Sequence, residues 1–137
     1  MVRVFMTLSE VNVLVGRSDW AWAEAVSRIF APRGVNSIMA ADAAGALDII
    51  ERRSIHTAIV DMDSAPASGL SIIRVIHGHY PMLPCILVSR STEEKLLANA
   101  LELNVFSVIA KPVDMRILQD QLNRLFIKRY NSAIFDV

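Results

Sequence analysis

The chain has 137 residues, enough for one domain with a buried core, and 53% of them are hydrophobic, which excludes a disordered or wholly polar chain. Lys plus Arg and Asp plus Glu number 14 each, so bulk charge points to neither a nucleic-acid partner nor an anionic membrane. The single cysteine, Cys85, excludes an internal disulfide framework and reads as a small buried thiol of a reducing compartment.

Met1 to Leu8 carries one Arg and no long apolar stretch, unlike a signal peptide. No apolar run approaches the roughly 20 residues of a membrane-spanning helix, so a cytoplasmic protein is expected. Val2-Arg3-Val4-Phe5-Met6 alternates and reads as an added strand, an ordered arm or a frayed terminus. Short apolar runs then alternate with helical patterns, the signature of a parallel sheet covered on both faces. Strands are predicted at Asn12–Val15, Val35–Ala40, Thr57–Val60, Cys85–Val88 and Val105–Ile109. Helices are predicted near Trp20–Phe30, Ala43–Arg53, Leu70–His77, Thr92–Leu103 and 114–129. Trp22, Val26 and Ile29 share a helical face by spacing, as do Ala43, Leu47 and Ile50, and Leu118, Leu122 and Leu125. Asp19, Asp42, Thr92 and Asp114 stand where side chains cap helix starts, and Asn104 where a left-handed residue ends one. A single domain is expected, with a core of about 11–129, an arm 1–10 and an apolar tail 130–137 that folds back or meets a partner.

In such a sheet, functional groups gather at the carboxyl ends of the strands, at the switch point. That places Gly16-Arg17, Asp61, Ser89 and Lys111 around one pocket. Ala58-Ile59-Val60-Asp61 with Gly69, His79-Tyr80-Pro81-Met82-Leu83-Pro84-Cys85-Ile86-Leu87-Val88-Ser89, and Ala100-Leu101-Glu102-Leu103-Asn104 through Lys111-Pro112 carry a resemblance over nearly the whole chain. In this order and spacing they resemble the receiver domain of two-component response regulators. The resemblance implies an α/β, flavodoxin-like, doubly wound five-stranded parallel sheet of order 2-1-3-4-5 with five helices. It implies Asp61 as phosphoacceptor, attacking a phospho-histidine or small phosphodonor. Lys111 would pair with that carboxylate and then with the phosphoryl oxygens, aimed by a cis Lys111-Pro112 bond. Ser89 would hydrogen-bond the phosphoryl group and draw its loop inward as the switch.

Several positions depart from that pattern. Receivers hold magnesium with the acceptor, a backbone carbonyl two residues on (here Asp63) and an acidic pair after the first strand. Gly16-Arg17 occupies the place of the pair, which leaves a weak metal site of Asp61 and Asp63 or none. The Arg17 guanidinium would repel a divalent ion; it pairs with Asp61 or a bound anion, locks the pocket, or points to solvent. Arg90 follows Ser89 where a small residue is usual, and screens Asp61 or attracts an anion. Val108 replaces the usual switch aromatic, with Phe106 on the same strand face by parity. Pro66 comes one residue later than the usual proline.

Other signals carry little chemistry. His77-Gly78-His79 lacks carboxylate or cysteine partners for a metal and reads as a solvated helix end. Trp20 and Trp22 read as packing for the first helix, and Arg52-Arg53 and Lys128-Arg129 as cations at helix C-termini. The favoured function is an atypical or pseudo-receiver without catalytic turnover of its own, working through protein–protein contacts. Its partners would be a sensor histidine kinase or a downstream effector, with the 114–129 helix as the candidate homodimer surface, and with no direct nucleic-acid or membrane contact. The alternatives are a fully phosphorylatable stand-alone regulator in a phosphorelay and, remotely, a flavin- or nucleotide-binding module. The last needs a Gly/Ser/Thr-rich phosphate loop, of which Gly16 and Ser18 are the only elements.

Overall fold

Alternation along each strand sorts the core onto two faces of a sheet. Val13, Val15, Ile59, Ile86, Val88 and Ile109 point one way, whereas Leu14, Ala58, Val60, Cys85 and Leu87 point the other. The structure, a computed structural model, describes residues 8–16, 20–63 and 68–136. Five parallel strands run β1 (Asn12–Gly16), β2 (Asn36–Ala40), β3 (Thr57–Asp61), β4 (Cys85–Ser89) and β5 (Ser107–Ala110), in the order β2-β1-β3-β4-β5. Interleaved are α1 (Trp22–Ala25), α2 (Ala43–Arg52), α3 (Gly69–His79), α4 (Glu94–Glu102) and α5 (Met115–Tyr130). This is the predicted doubly wound architecture. Register pairs Val15 with Ile59 and Asp61 with Val88, so the ends of β1, β3 and β4 lie side by side at the switch point.

Leu118, Leu122 and Leu125 are fully buried, as their spacing predicts, against the face that carries Val13 and Ile86. Ile73, Ile76 and Ala100 cover the other face. Asp42 and Asp114 accept the N–H of Gly45 and Arg116 as helix caps, and Asn104 adopts a positive φ of 56°. Among the described residues, no helix is long and apolar enough to cross a membrane.

Five expectations need correction. The inward face of α2 centres on buried Ala46, with Ile49 and Ile50 packed beside it, because the small alanine rather than Leu47 meets the sheet. Thr92 does not cap α4: the cap position is Glu93, with no side-chain hydrogen bond to the helix. His77 is not a solvated end; its ring nitrogens lie 2.9 Å from the carbonyl oxygens of Leu103 and Leu83, tying α3 to the end of α4 and to the turn before β4. Phe106 and Val108 do not share a face, because a bend at Phe106 precedes β5 and turns the ring to the α5 side. The first helix is not one α-helix over Trp20–Phe30: α1 widens into a π-helical turn over Val26–Phe30 and tightens over Ala31–Arg33.

The tail folds back. Phe135 is fully buried, with ring centroids 6.2 Å from Phe30 and 4.8 Å from Phe126. Gln119 Nε2 donates to its carbonyl at 3.2 Å, and the Tyr130 hydroxyl donates to the His56 carbonyl. Asp19, Arg17, Pro66 and the segment 2–6, all weighed above, lie outside the described residues.

Candidate functional site

The last residue of β3 is Asp61, its side chain only 2% exposed. Lys111, which follows β5, donates from Nζ to Asp61 Oδ1 at 2.7 Å and to Oδ2 at 2.6 Å. The same nitrogen stands 3.2 Å from Asp63 Oδ2. One ammonium thus serves two carboxylates, with a side-chain exposure of 9%. Burial alone would lower the Lys111 pKa, but the hydrogen bonds and charges of Asp61 and Asp63 outweigh it and raise the pKa above its ordinary value. Asp61 Oδ1 also accepts the Asp63 backbone N–H at 2.8 Å. The Lys111–Pro112 peptide bond is cis, and the Lys111 N–H donates to the Ser89 carbonyl at 2.9 Å.

Ser89 ends β4 and is fully buried; its hydroxyl accepts the Ser91 N–H at 3.2 Å, turned toward its own loop. Arg90 donates its backbone N–H to Asp63 Oδ2 at 2.9 Å. Its side chain is exposed and lines a groove of about 500 Å³ beside Lys111, with Trp20, Glu24, Pro112 and Val113 on the other walls. Ala21 closes the same groove in a left-handed conformation, φ 73°, which an alanine rarely adopts.

Two glycines set the floor of the site for different reasons. At Gly69 an added Cβ would lie 2.6 Å from the Asp61 carbonyl oxygen and 2.8 Å from Leu87 Cδ1, so α3 starts directly on the backbone of the acidic residue. At Gly16 a Cβ would meet the Ile59 carbonyl at 3.6 Å and the Asp61 nitrogen at 3.8 Å, ordinary contacts. A cavity of about 20 Å³ lies among Gly16, Ala40, Asp42 and Asp61.

Asp61, Asp63, Ser89, Arg90, Lys111 and Gly16 therefore come together at one end of the sheet, whereas Arg17 lies outside the described residues. No group of three or more His, Cys, Asp or Glu able to hold a metal occurs among the described residues. Cys85 Sγ stands 3.6 Å from His77 Nε2, but burial pushes its thiol up to about 12, so the two do not form an activated nucleophile. Sequence reasoning missed the contact between the Asp63 carboxylate and the Arg90 amide: those residues are 27 apart, and no local pattern marks a bond to a backbone N–H.

A parallel sheet with an aspartate at the end of its third strand, held by a lysine after the fifth, defines a receiver-type α/β domain. The family model of the response regulator receiver domain matches residues 18–123, and the chain belongs to that family. It is 26% identical over 107 residues to an NtrX-like response regulator of Rickettsia bellii, covering 77% of this chain and 22% of that protein. The corresponding protein of Rickettsia felis is 24% identical over the same length, again 77% of this chain and 22% of the relative. The match thus spans about a fifth of the curated relatives' length. Among solved structures, a CheY-like receiver domain protein from Methanospirillum hungatei JF-1 superposes with a TM-score of 0.78 at 21% identity, covering 90% of this chain and 98% of that one. A response regulator receiver protein from Pseudomonas putida gives 0.72 at 27% identity, covering 86% and 99%.

Proposed function

We propose that this domain is an atypical receiver in which Asp61 holds the phosphoacceptor position, Lys111 supplies the main countercharge, and signalling runs through protein contacts. The observation that carries this reading is the single ammonium of Lys111 clamped on both oxygens of Asp61 and reaching Asp63, beside a Gly16 that offers no ligand. Magnesium wants near-octahedral oxygen ligation, usually one or two carboxylates completed by waters and phosphate oxygens. Among the described residues the two carboxylates nearest Lys111 are Asp61 and Asp63, both engaged by that ammonium, so with the Asp63 carbonyl they make a weak magnesium site. Transfer of a phosphoryl group depends on positioning and on neutralising charge at the equatorial oxygens. Here Lys111 is the group placed to supply that charge, and the Ser89 hydroxyl, which accepts the Ser91 N–H, keeps its own O–H to donate to a phosphoryl oxygen.

The reading extends to residues 11–129, together with the folded-back tail, as one receiver unit of the cytoplasm with no catalytic turnover of its own. Its partners are a sensor histidine kinase or a downstream effector, in keeping with relatives that are response regulators several times longer. Ile117 on α5 is 51% exposed and Leu101 on α4 is 77% exposed, apolar positions suited to such contacts or to a homodimer.

Intact mass after incubation with a small phosphodonor, with and without magnesium and beside Asp61→Asn, tests the proposal. Little adduct and no gain from magnesium are expected. A magnesium-dependent adduct absent in Asp61→Asn would replace this reading with a second one, the fully phosphorylatable regulator. The convergence of Asp61, Ser89 and Lys111 favours that alternative.

A further inference from the structure

Asp63 makes two attachments across the mouth of the site. Its Oδ2 stands 3.2 Å from Lys111 Nζ and accepts the Arg90 backbone N–H at 2.9 Å. Its own N–H donates to Asp61 Oδ1 at 2.8 Å, so carboxylate and backbone act on the same pocket. Arg90 is the first residue after β4. The following links stay within that loop: the Ser91 N–H reaches Ser89 Oγ at 3.2 Å and the Glu93 N–H reaches Ser91 Oγ at 3.3 Å. The Asp63–Arg90 bond, in contrast, crosses from the end of β3 to the loop after β4.

We propose that Asp63 is a positioning residue, a latch that holds the β4–α4 loop across Asp61 and competes with an incoming phosphoryl-like anion for Lys111. The competition rests on Asp61 being the phosphoryl-accepting position; the loop tether does not. A carboxylate accepting a backbone N–H makes a charge-assisted bond, stronger than a neutral one. Asp63 is 28% exposed in its side chain, so the bond is neither fully solvated nor sealed. An anion entering beside Asp61 meets a second negative charge held on the same ammonium. Removing that charge while keeping an oxygen acceptor separates the two functions of the side chain.

Amide hydrogen exchange in the full chain tests the tether, with wild type compared to Asp63→Ala and Asp63→Asn. In Asp63→Ala the Arg90 amide exchanges about tenfold faster, the loss expected for one partly solvated charge-assisted bond, while the Ile86 and Leu87 amides of β4 keep their rates. In Asp63→Asn, whose side-chain oxygen still accepts, Arg90 stays within about threefold of wild type. Titration with inorganic phosphate, followed by the amide shifts of Asp61 and Lys111, tests the competition. Both variants are expected to bind phosphate roughly five- to tenfold more tightly than wild type, from loss of a like charge near a surface site. An unchanged Arg90 rate in Asp63→Ala, or an equal rise at Ile86 and Leu87, overturns the latch. Phosphate affinity equal to or below wild type in both variants, including no binding in any of the three, overturns the competition. Neither arm needs a covalent adduct, so absence of Asp61 phosphorylation bears on the proposed function and not on these outcomes.

Discussion

Replacing Lys111 with Met removes the ammonium shared by Asp61 and Asp63 while keeping a side chain of similar length. Lys111 and Asp61 are 9% and 2% exposed and in contact at 2.6 Å, so solvent screens their attraction little. Breaking a buried pair from one side costs about 3–5 kcal/mol, because the remaining charge stays behind in a poor solvent. The variant can relieve the uncompensated charge by binding a proton. At pH 7, protonating an ordinary aspartate of pKa about 3.9 costs about 4 kcal/mol, and at pH 5 about 1.5 kcal/mol. The expected destabilisation is therefore about 3–4 kcal/mol at pH 7, falling to about 1.5 kcal/mol at pH 5. Urea unfolding followed by far-UV circular dichroism reads this as a midpoint lowered by roughly 1.5–2 M at pH 7. Adding Asp61→Asn to Lys111→Met recovers most of the loss, as a double-mutant cycle on a true pair must. A Lys111→Met protein within about 0.5 kcal/mol of wild type at pH 7, or one equally destabilised at both pH values, would refute the ion pair as the resting state of the site.

The other predictions probe the frame around the pair. Gly69→Ala forces a Cβ to 2.6 Å from the Asp61 carbonyl oxygen, where backbone must shift, and should cost about 2 kcal/mol or more in urea unfolding; a neutral result would mean that α3 does not start on β3 as described. Phe135→Ala empties a fully buried site between Phe30 and Phe126, with an expected loss of about 3 kcal/mol; a loss below about 1 kcal/mol would show the tail undocked in solution. Burial lowers the His56 pKa, against the opposing effects of its Asn12 hydrogen bond and Glu10. Its contribution to stability is thus complete above the ordinary value of about 6.5 and is lost as pH falls below it, and His56→Phe should flatten that slope in urea midpoints taken from pH 7.5 to 5. Gly16→Asp with Arg17→Asp should create magnesium binding measurable by calorimetry, since a Cβ at position 16 makes only ordinary contacts; no heat above that of wild type would show that the acidic pair alone does not make the metal site.

What could be read in the sequence was whatever repeats with a period or sits at a fixed step. The apolar runs Val13-Leu14-Val15 and Cys85-Ile86-Leu87-Val88 marked strands covered on both faces, and the Leu118–Leu122–Leu125 stripe found the face of α5. Asp61 and Lys111 were legible despite a separation of 50 positions, because Asp61 ends β3, Lys111 directly follows β5, and the topology brings those strand ends together. Local helix caps such as Asp42 and Asp114 were legible, but long-range contacts to the backbone were hidden. The His77 ring between two carbonyls and the Asp63 carboxylate on the Arg90 amide use groups that every residue carries, so no residue type announces the partner. Helix irregularity was hidden too. The π-helical turn at Val26–Phe30 occurs where Phe30 meets Phe135, and a packing event 105 residues further along leaves no trace in local periodicity.

The two glycines separate what the fold demands from what the chemistry has changed. Gly69 is held by sterics: any side chain there collides with the backbone of the residue whose carboxylate the site is built around. Gly16 is under no such demand, since its neighbours leave room for a Cβ and a small cavity stands next to it. A carboxylate at position 16 would thus cost the fold little, and its absence alters the charge of the pocket without altering the packing. The charge that remains is distributed differently. Lys111 is bound from two sides, by Asp61 and by Asp63, and Asp63 is bound in turn to Arg90, where the loop after Ser89 begins. Any event that draws Lys111 off Asp63, whether a phosphoryl group or an anionic side chain of a partner, loosens the same carboxylate that holds the loop. Charge at the strand ends and the position of the β4–α4 connection are therefore coupled through a single side chain, and that coupling needs no metal ion to operate.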